Sequence, residues 1–244
     1  MKIGYLTDKG KRRSKNEDAI RVLYDQKFFM LADGVGGNKS GEVASTTALQ
    51  ALANFTEHNP LSKLENDEQA FRYFDSAIEY VNKVINTLSE KEPEYAGMAT
   101  TLVCAYIDGD KMYIANVGDS RVYIVQDGEI KQITEDHTYV NDLVKMGAIT
   151  KEEAGNHARK NVITRAIGAN AYNKADCFCE HVGKDDKVLI CSDGLYDELS
   201  EKEMLEHIIN QENMVDCAEE LVDMANTRGG SDNISVICIS MVED

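Results

Sequence analysis

Apolar residues recur in short runs separated by turn residues, a pattern that predicts a chain rich in β-strands. The predicted strands cover residues 2–6, 19–24, 27–32, 100–107, 111–117, 120–125, 129–133, 177–182, 188–192 and 234–241. Asp108-Gly109 and Asp127-Gly128 stand between consecutive runs and are typical of hairpin turns. We expect mainly antiparallel pairing, because the regular alternation of strand and helix that builds a parallel sheet is missing.

Longer segments with apolar residues three and four positions apart predict amphipathic helices. They cover residues 41–55, 67–89, 201–209 and 214–227, whereas residues 138–159 are polar, weakly helical and predicted to form a mobile surface segment. Each helix pair has an apolar face that a sheet can cover. The pattern predicts an α+β fold: a four-layer αββα sandwich of two mainly antiparallel sheets flanked by helix pairs, in a single domain spanning residues 1–244.

Acidic residues stand at the ends of four predicted strands. Asp33 and Asp193 each follow an apolar run and precede a glycine. Asp232 opens the final run, and Glu17 and Asp18 precede the second one. A single Asp-Gly pair is most simply a tight turn. Four acidic strand ends, however, can converge on one site if the strands pair, and clustered carboxylate oxygens suit Mg²⁺ or Mn²⁺ rather than zinc.

Composition limits the classes of binding partner and the cell compartment that we expect for this chain. The chain of 244 residues is 43% hydrophobic and carries 43 Asp and Glu against 26 Lys and Arg, a formal net charge of −17. Such a charge disfavours nucleic acid and anionic membranes as partners. The sequence has neither a long apolar run nor a signal-peptide core after Met1, so we expect a cytoplasmic protein whose six cysteines are free thiols.

Motif spacing argues against other phosphate and hydrolase chemistries. Gly34-Val35-Gly36 is followed by Gly37-Asn38-Lys39, which breaks the spacing of a dinucleotide site, and the phosphate-binding Gly-x-x-x-x-Gly-Lys-Ser/Thr string does not occur. No cysteine has an arginine six positions later, and a Gly-x-Ser-x-Gly elbow is absent. The remaining possibility is chemistry at a metal ion that acidic side chains hold. Arg13 lies three residues before Asn16-Glu17-Asp18, and its guanidinium is a candidate to bind a phosphate oxygen.

Taken in order, the motifs resemble those of a known family, the metal-dependent protein serine/threonine phosphatases of the PP2C (PPM) class, in their compact bacterial form. The resemblance extends from Gly4 to Val236, and the family's αββα sandwich agrees with the layers predicted above. The motifs are Arg13-x-x-Asn16-Glu17-Asp18, Ala32-Asp33-Gly34-Val35-Gly36-Gly37, Gly41-Glu42-x-Ala44-Ser45, Asn116-Val117-Gly118-Asp119-Ser120-Arg121, Asp136-His137, Ile163-Thr164-Arg165-Ala166-Ile167-Gly168, Ser192-Asp193-Gly194-Leu195-Tyr196-Asp197 and Gly230-x-Asp232-Asn233-Ile234-Ser235.

The resemblance implies a metal centre with two Mn²⁺ or Mg²⁺ ions. Asp33 would bridge both ions, and the Gly34 carbonyl would bind one of them. Asp193 and Asp232 would hold the other. Two cations clamped by a shared carboxylate lower the pKa of water and make hydroxide available near neutral pH for attack on a phosphoserine or phosphothreonine. A phosphoenzyme is then unnecessary.

The resemblance also implies roles for residues around the metals. Arg13 would bind the substrate phosphate, and the metals and Arg13 would stabilise charge on the equatorial oxygens. Glu17 and Asp18 would lie in a second layer and act largely through metal-bound water. The residues expected to take part in catalysis are thus Arg13, Asp18 and Asp33.

Further features of the family map onto this sequence in part. Asp119 and Asp197 match positions that can hold a more weakly bound third metal in bacterial relatives. Residues 138–160 would form a flap beside the active site. Val35 stands where some members carry a histidine, so we expect metal-bound water to protonate the leaving group. For His137, beside Asp136, we expect a structural role.

Three functions stay open at this stage. The first is a general protein phosphatase, a monomer that acts on a bacterial Ser/Thr kinase and its substrates. The second keeps the chemistry but serves a single regulatory protein, such as a sigma-factor control element. The third is a pseudophosphatase that only binds partners, which would require the loss of metal ligands. Asp33, Asp193 and Asp232 are all present, and this favours an enzyme.

Overall fold

The computed structural model describes residues 1–35, 40–169 and 174–242, and eleven strands are assigned within those ranges. Gly36 and Gly37 of the glycine-rich motif lie outside the described residues. The strands are β1 (Lys2–Asp8), β2 (Asp18–Leu23), β3 (Phe28–Val35), β4 (Ala99–Thr100), β5 (Leu102–Asp108), β6 (Lys111–Val117), β7 (Arg121–Gln126), β8 (Glu129–Gln132), β9 (Asp176–His181), β10 (Lys187–Cys191) and β11 (Ile234–Ser240).

The strands pair into two antiparallel sheets. The first has the order β1-β11-β10-β7-β8, and the second has the order β2-β3-β5-β6-β9, with β4 paired to β3. The β7–β8 hairpin turns at Asp127-Gly128, where both residues have positive φ, 52° and 81°. Positive φ at both central residues is the requirement of a two-residue turn whose twist matches the strands. The predicted hairpin is therefore confirmed.

Helices cover the outer face of each sheet. The α-helices assigned in the described ranges are, in chain order, α1 (Ser40–His58), α2 (Asp67–Lys91), α3 (Tyr139–Lys145), α4 (Lys151–Gly155), α5 (Asp193–Tyr196), α6 (Glu201–Asn210) and α7 (Met214–Arg228). One apolar cluster joins α1 and α2 to the second sheet, another joins α6 and α7 to the first, and a third fills the space between the sheets. The predicted four-layer αββα sandwich is confirmed. Among the described helices, none combines the length and apolar character needed to cross a bilayer.

Local structure confirms the weak helical signal in one segment and departs from prediction at one short element. The segment 138–159 contains two capped helices: the Thr138 hydroxyl accepts from the Asn141 N–H, and Thr150 and Glu153 form a reciprocal capping box. Caps satisfy the free N–H groups of a short helix, so helices form there despite the weak apolar pattern. The departure is α5, which begins at Asp193, two residues after the end of β10. Its four residues are too few to show a helical period in sequence.

Candidate active site

Strand pairing brings the four acidic strand ends of the sequence analysis together. Asp18 and Asp33 are directly opposite each other in the β2–β3 pair. Asp193 follows β10 and Asp232 precedes β11, and these two strands are antiparallel neighbours in the other sheet. The β10–β11 ends are held together by the Ser192 N–H, which donates to the Ser235 carbonyl at 3.1 Å. Both sheets therefore contribute carboxyl groups to the same end of the sandwich.

Burial and mutual repulsion make these carboxyl groups reluctant to ionise. The pKa of Asp33 is raised well above its ordinary value, first by burial and then by the charges of Asp18 and Asp193. Burial also raises the pKa of Asp18 to about 6 and that of Asp193 well above 3.8. Asp18 Oδ1 and Asp193 Oδ1 are buried without a hydrogen-bond partner among the described residues. Buried carboxylates without partners are costly, and cations remove that cost.

The carboxyl groups suit hard cations by chemistry and location, although they do not form a closed shell. Within the described ranges, no three His, Cys, Asp or Glu side chains form a ready-made metal-binding group. Asp232 instead directs Oδ2 to the guanidinium of Arg13, at 2.5 Å. The fit to Mg²⁺ or Mn²⁺ thus rests on all-oxygen donors and on the unpartnered buried oxygens.

Gly34 lies where β3 comes closest to the start of α1. Its N–H donates to the Glu17 carbonyl at 3.1 Å. A Cβ at this position would lie 2.2 Å from the Gly41 carbonyl oxygen and 2.7 Å from that of Glu17. Only glycine fits such an approach, because both obstacles are backbone atoms. The predicted role of the Gly34 carbonyl as a metal ligand stays a prediction.

The side chain of Asn233 holds the loop that carries Arg13. Its Nδ2 donates to the carbonyls of Lys9 and Lys15 at 2.9 and 2.8 Å, and its Oδ1 accepts from the Glu17 N–H at 2.8 Å. The side chain is buried and uses its donors and its acceptor on backbone alone. The motif at residues 230–235 does not predict this clamp. Its signal in the sequence is an amide directly after the candidate ligand Asp232.

Arg13 is at the open side of the acidic cluster, and 52% of its side chain is exposed. Partial burial lowers the pKa of the guanidinium, but the charges of Asp232, Asp193 and Asp33 outweigh burial and raise it. The group is therefore a permanent cation beside the candidate metal ligands. The planar guanidinium can donate N–H hydrogen bonds to a phosphate oxygen from this place, as its predicted role requires.

Asp119 and Asp197, the predicted third-metal pair, line a cavity of about 900 Å³ under α3 and α4. Burial and the charge of Asp136 raise the pKa of Asp119 to about 7. The Tyr196 hydroxyl donates to the Asp119 carbonyl at 3.0 Å. Lys160 Nζ donates to Asp197 Oδ2 at 2.9 Å. A cation from the end of the predicted flap segment thus reaches one member of the pair.

His137 has the structural role that was predicted. Its Nδ1 accepts from the Gly118 N–H at 3.0 Å, and its Nε2 lies 2.9 Å from Asp176 Oδ2. Burial lowers the pKa of the imidazole, against the opposing effect of Asp176. The ring therefore ties the turn before Asp119 to β9.

The buried carboxyl groups predict that the metal-free protein loses stability as the pH rises. The pKa of Asp18 is raised to about 6 and that of Asp119 to about 7, both mainly by burial. Between about pH 4 and pH 7 the folded protein therefore holds protons that the unfolded chain has released. The free energy of unfolding should fall across this range by on the order of a few kcal/mol.

Urea unfolding of chelator-treated protein at about pH 5 and about pH 7.5 measures this fall. The matched variant is Asp119→Asn, whose amide cannot titrate, and it should lose less stability than the wild type over the same interval. An equal or steeper fall in the variant would contradict the contribution assigned to Asp119.

Comparison with known proteins agrees with this geometry. The sequence model of protein phosphatase 2C matches residues 9–234. Serine/threonine phosphatase stp of Listeria monocytogenes is 37% identical over 242 residues, which cover 98% of this chain and 95% of that protein. The crystal structure of the Mycobacterium tuberculosis serine/threonine phosphatase PstP/Ppp superposes with a TM-score of 0.89 at 33% identity, covering 99% of each chain.

A crystal structure of the catalytic domain of PstP in complex with two manganese ions superposes with a TM-score of 0.86 at 32% identity, over 99% of this chain and 98% of that one. An αββα sandwich with carboxyl groups from both sheets at one end defines a metal-dependent protein serine/threonine phosphatase, which acts on phosphoproteins. The chain belongs to the protein phosphatase 2C family. The fold, the class of enzyme and the dependence on metal, all predicted from sequence, are confirmed.

Proposed function

We propose that this chain hydrolyses phosphoserine and phosphothreonine in proteins with two divalent cations, Mn²⁺ or Mg²⁺. Asp33 would contact both ions, the Gly34 carbonyl would bind one of them, and Asp193 and Asp232 would hold the other. One observation carries this proposal: the carboxyl groups of Asp18, Asp33, Asp193 and Asp232 converge from two sheets, and two of them keep a buried oxygen without a partner among the described residues.

The protein's own groups would divide the work around the phosphate. Bound cations supply a nucleophile from water at neutral pH and polarise the phosphoryl group. Arg13 binds a phosphate oxygen on the exposed side of the site and stabilises the charge that develops there. Glu17 and Asp18 accept hydrogen bonds from ordered water and orient it. Burial raises the pKa of Glu17, so this carboxyl is an acceptor that can also hold a proton.

Side-chain chemistry near the site supports direct attack by water. Cys191 is buried, and burial raises its pKa to about 12, so its thiolate is too scarce to serve as a nucleophile. Val35 stands where some family members carry a histidine, and it offers no proton to the leaving alkoxide. Water ordered at the site is then the source of that proton.

Asp119 and Asp197 are candidates for a third cation, bound more weakly because Lys160 already pairs with Asp197. Residues 138–160 would act as a flap that shapes access, since α3 and α4 line the cavity that contains this pair. The whole chain, residues 1–244, would act as one catalytic domain. The apolar cluster shared by the two sheets supports this.

The natural substrates would be phosphorylated proteins, including a Ser/Thr kinase whose action the enzyme reverses. The names of the relatives, serine/threonine phosphatase stp and protein phosphatase PhpP, support this class of substrate. We further propose that the protein works in the cytoplasm as a monomer. Its six cysteines are free thiols, as expected in a reducing compartment.

Hydrolysis of a phosphothreonine peptide with Mn²⁺, with EDTA, and with EDTA followed by excess Mn²⁺ tests the proposal. We expect turnover with Mn²⁺, a decrease of about a hundredfold or more with EDTA, and recovery with excess metal. A phosphotyrosine peptide of the same sequence is the matched control for substrate class and should turn over more slowly. Measured Mn²⁺ binding without turnover of any phosphopeptide would contradict a general phosphatase.

A further inference from the structure

A chain of hydrogen-bonded side chains runs from the protein surface to the buried carboxyl group of Asp18. Ser192 Oγ lies 2.8 Å from Asp18 Oδ2. Ser235 Oγ lies 2.7 Å from Thr7 Oγ1, and Asn16 Nδ2 donates to Thr7 Oγ1 at 2.8 Å. The Ser235 N–H donates to Ser192 Oγ and so completes a hydrogen-bonded path from Asn16 to Asp18 Oδ2.

The donor and acceptor chemistry gives this path a direction. An ionised carboxylate has no proton, so Ser192 must donate its hydroxyl proton to Asp18. Thr7 and Ser235 pair through their hydroxyl groups, and either oxygen can be the donor. Thr7 in turn accepts from Asn16, whose Nδ2 can only donate. Ser192 Oγ accepts from the Ser235 N–H at 3.0 Å, which holds the two serines relative to each other.

The path also crosses between the two sheets. Thr7 is in β1, Ser235 is in β11 and Ser192 follows β10, all in the first sheet. Asp18 begins β2 in the second sheet and is 8% exposed, while both serines are fully buried. The carboxyl group is therefore fixed by the opposite sheet, although its own backbone pairs with Asp33.

The two carboxyl oxygens of Asp18 therefore have different surroundings. Oδ2 accepts from the Ser192 hydroxyl, whereas Oδ1 is buried without a partner among the described residues. Asp33, the proposed shared metal ligand, is the cross-strand neighbour of Asp18. An acceptor oxygen held without a donor is suited to the ordered water of a divalent cation, and groups that orient such an acceptor tune metal affinity.

We propose that Thr7, Ser192 and Ser235 are positioning residues that hold Asp18 with Oδ1 directed to the divalent-cation site. This inference rests on the proposed function of that site. The hydroxyls act through Asp18 and contact neither substrate nor cation. Their loss should weaken Mn²⁺ binding, because Asp18 would then rotate or take a proton, and each change removes an oriented acceptor.

The test compares variants that remove a hydroxyl with variants that keep it. Ser235→Ala and Thr7→Val break the path, whereas Ser235→Thr and Thr7→Ser preserve it. Mn²⁺ affinity is measured by calorimetric titration of chelator-treated protein, and the spectrum of the bound ion is recorded by electron paramagnetic resonance. We expect Ser235→Ala and Thr7→Val to weaken affinity by about ten- to a hundredfold and to alter the spectrum. The hydroxyl-keeping variants should remain within about threefold of the wild type.

Thr56→Val is the matched control for the loss of a buried hydroxyl elsewhere. Thr56 Oγ1 donates to the Leu52 carbonyl at 2.9 Å within α1. This helix packs on the outer face of the second sheet. This variant should lose stability but keep the Mn²⁺ affinity of the wild type. If Ser235→Ala fails to fold, Thr7→Val, at an exposed position of β1, still tests the inference.

Equal affinity in the wild type, Ser235→Ala and Thr7→Val would overturn the inference. So would equal losses in Ser235→Ala and Ser235→Thr, because packing alone would then explain the effect. Failure of the proposed function has a different signature. In that case the wild type would bind Mn²⁺ in a hydroxyl-dependent way and yet hydrolyse no phosphopeptide.

Discussion

Replacing Asp33 with Asn is expected to lower turnover at saturating Mn²⁺ by about a thousandfold or more, while it makes the metal-free protein more stable. The activity falls because the proposed shared ligand loses its charge. The stability rises because Asp33 is the carboxyl whose pKa is raised both by burial and by the charges of Asp18, Asp193, Asp119 and Asp232. A neutral amide of the same shape removes that repulsion.

Two measurements on Asp33→Asn test the expected loss of activity and the expected gain in metal-free stability. Steady-state hydrolysis of a phosphothreonine peptide gives the activity, and thermal unfolding in EDTA gives the stability. Asp25→Asn, at an exposed position of the turn between β2 and β3, is the matched control and should change neither quantity. Turnover within about tenfold of the wild type would remove Asp33 from the shared-ligand role. A melting temperature in EDTA below that of the wild type would contradict the repulsion assigned to Asp33.

Replacing Gly34 with Ala is expected to lower the free energy of unfolding by about 3 kcal/mol or more and to abolish Mn²⁺-dependent turnover. The added methyl would lie 2.2 Å from the Gly41 carbonyl oxygen and 2.4 Å from its carbonyl carbon. These backbone atoms belong to the first turn of α1, so β3 and α1 must separate to admit the methyl. Separation moves Asp33 and the Gly34 carbonyl, which are neighbours in the same strand.

Gly155→Ala is the matched control for this prediction. Gly155 ends α4, and a Cβ there would have no atom within 4 Å. Its effect should be neutral or slightly stabilising, since alanine is the better helix former. Urea unfolding of both variants gives the free energies. A midpoint for Gly34→Ala equal to that of Gly155→Ala would contradict the close approach.

Elements with a strong local signal were predicted well. The strand predicted at 111–117 is β6, and the helix predicted over 67–89 is α2, which runs from Asp67 to Lys91. A polar N-cap contributes, since the Asn66 side chain accepts from the Gln69 N–H. These features depend on residues a few positions apart, so a periodic pattern contains the necessary information.

Features that depend on distant residues were missed. The Asn233 clamp joins that side chain to Lys9, Lys15 and Glu17, more than 200 positions earlier in the chain. The path from Thr7 through Ser235 and Ser192 to Asp18 likewise needs strands from two sheets. Single small polar residues have no period, and their partners become neighbours only after the sheets have packed.

The sequence by itself determined the layers of this protein and the chemistry of its candidate ligands. Hydrophobic period decides which segments become strands or helices, and the side chains of Asp33, Asp193 and Asp232 supply hard oxygen donors wherever they lie. Tertiary structure alone decided that Asp18 is opposite Asp33. A shift of one residue in the β2–β3 register would turn one carboxyl to the other face of the sheet, and register depends on the packing of the whole sandwich.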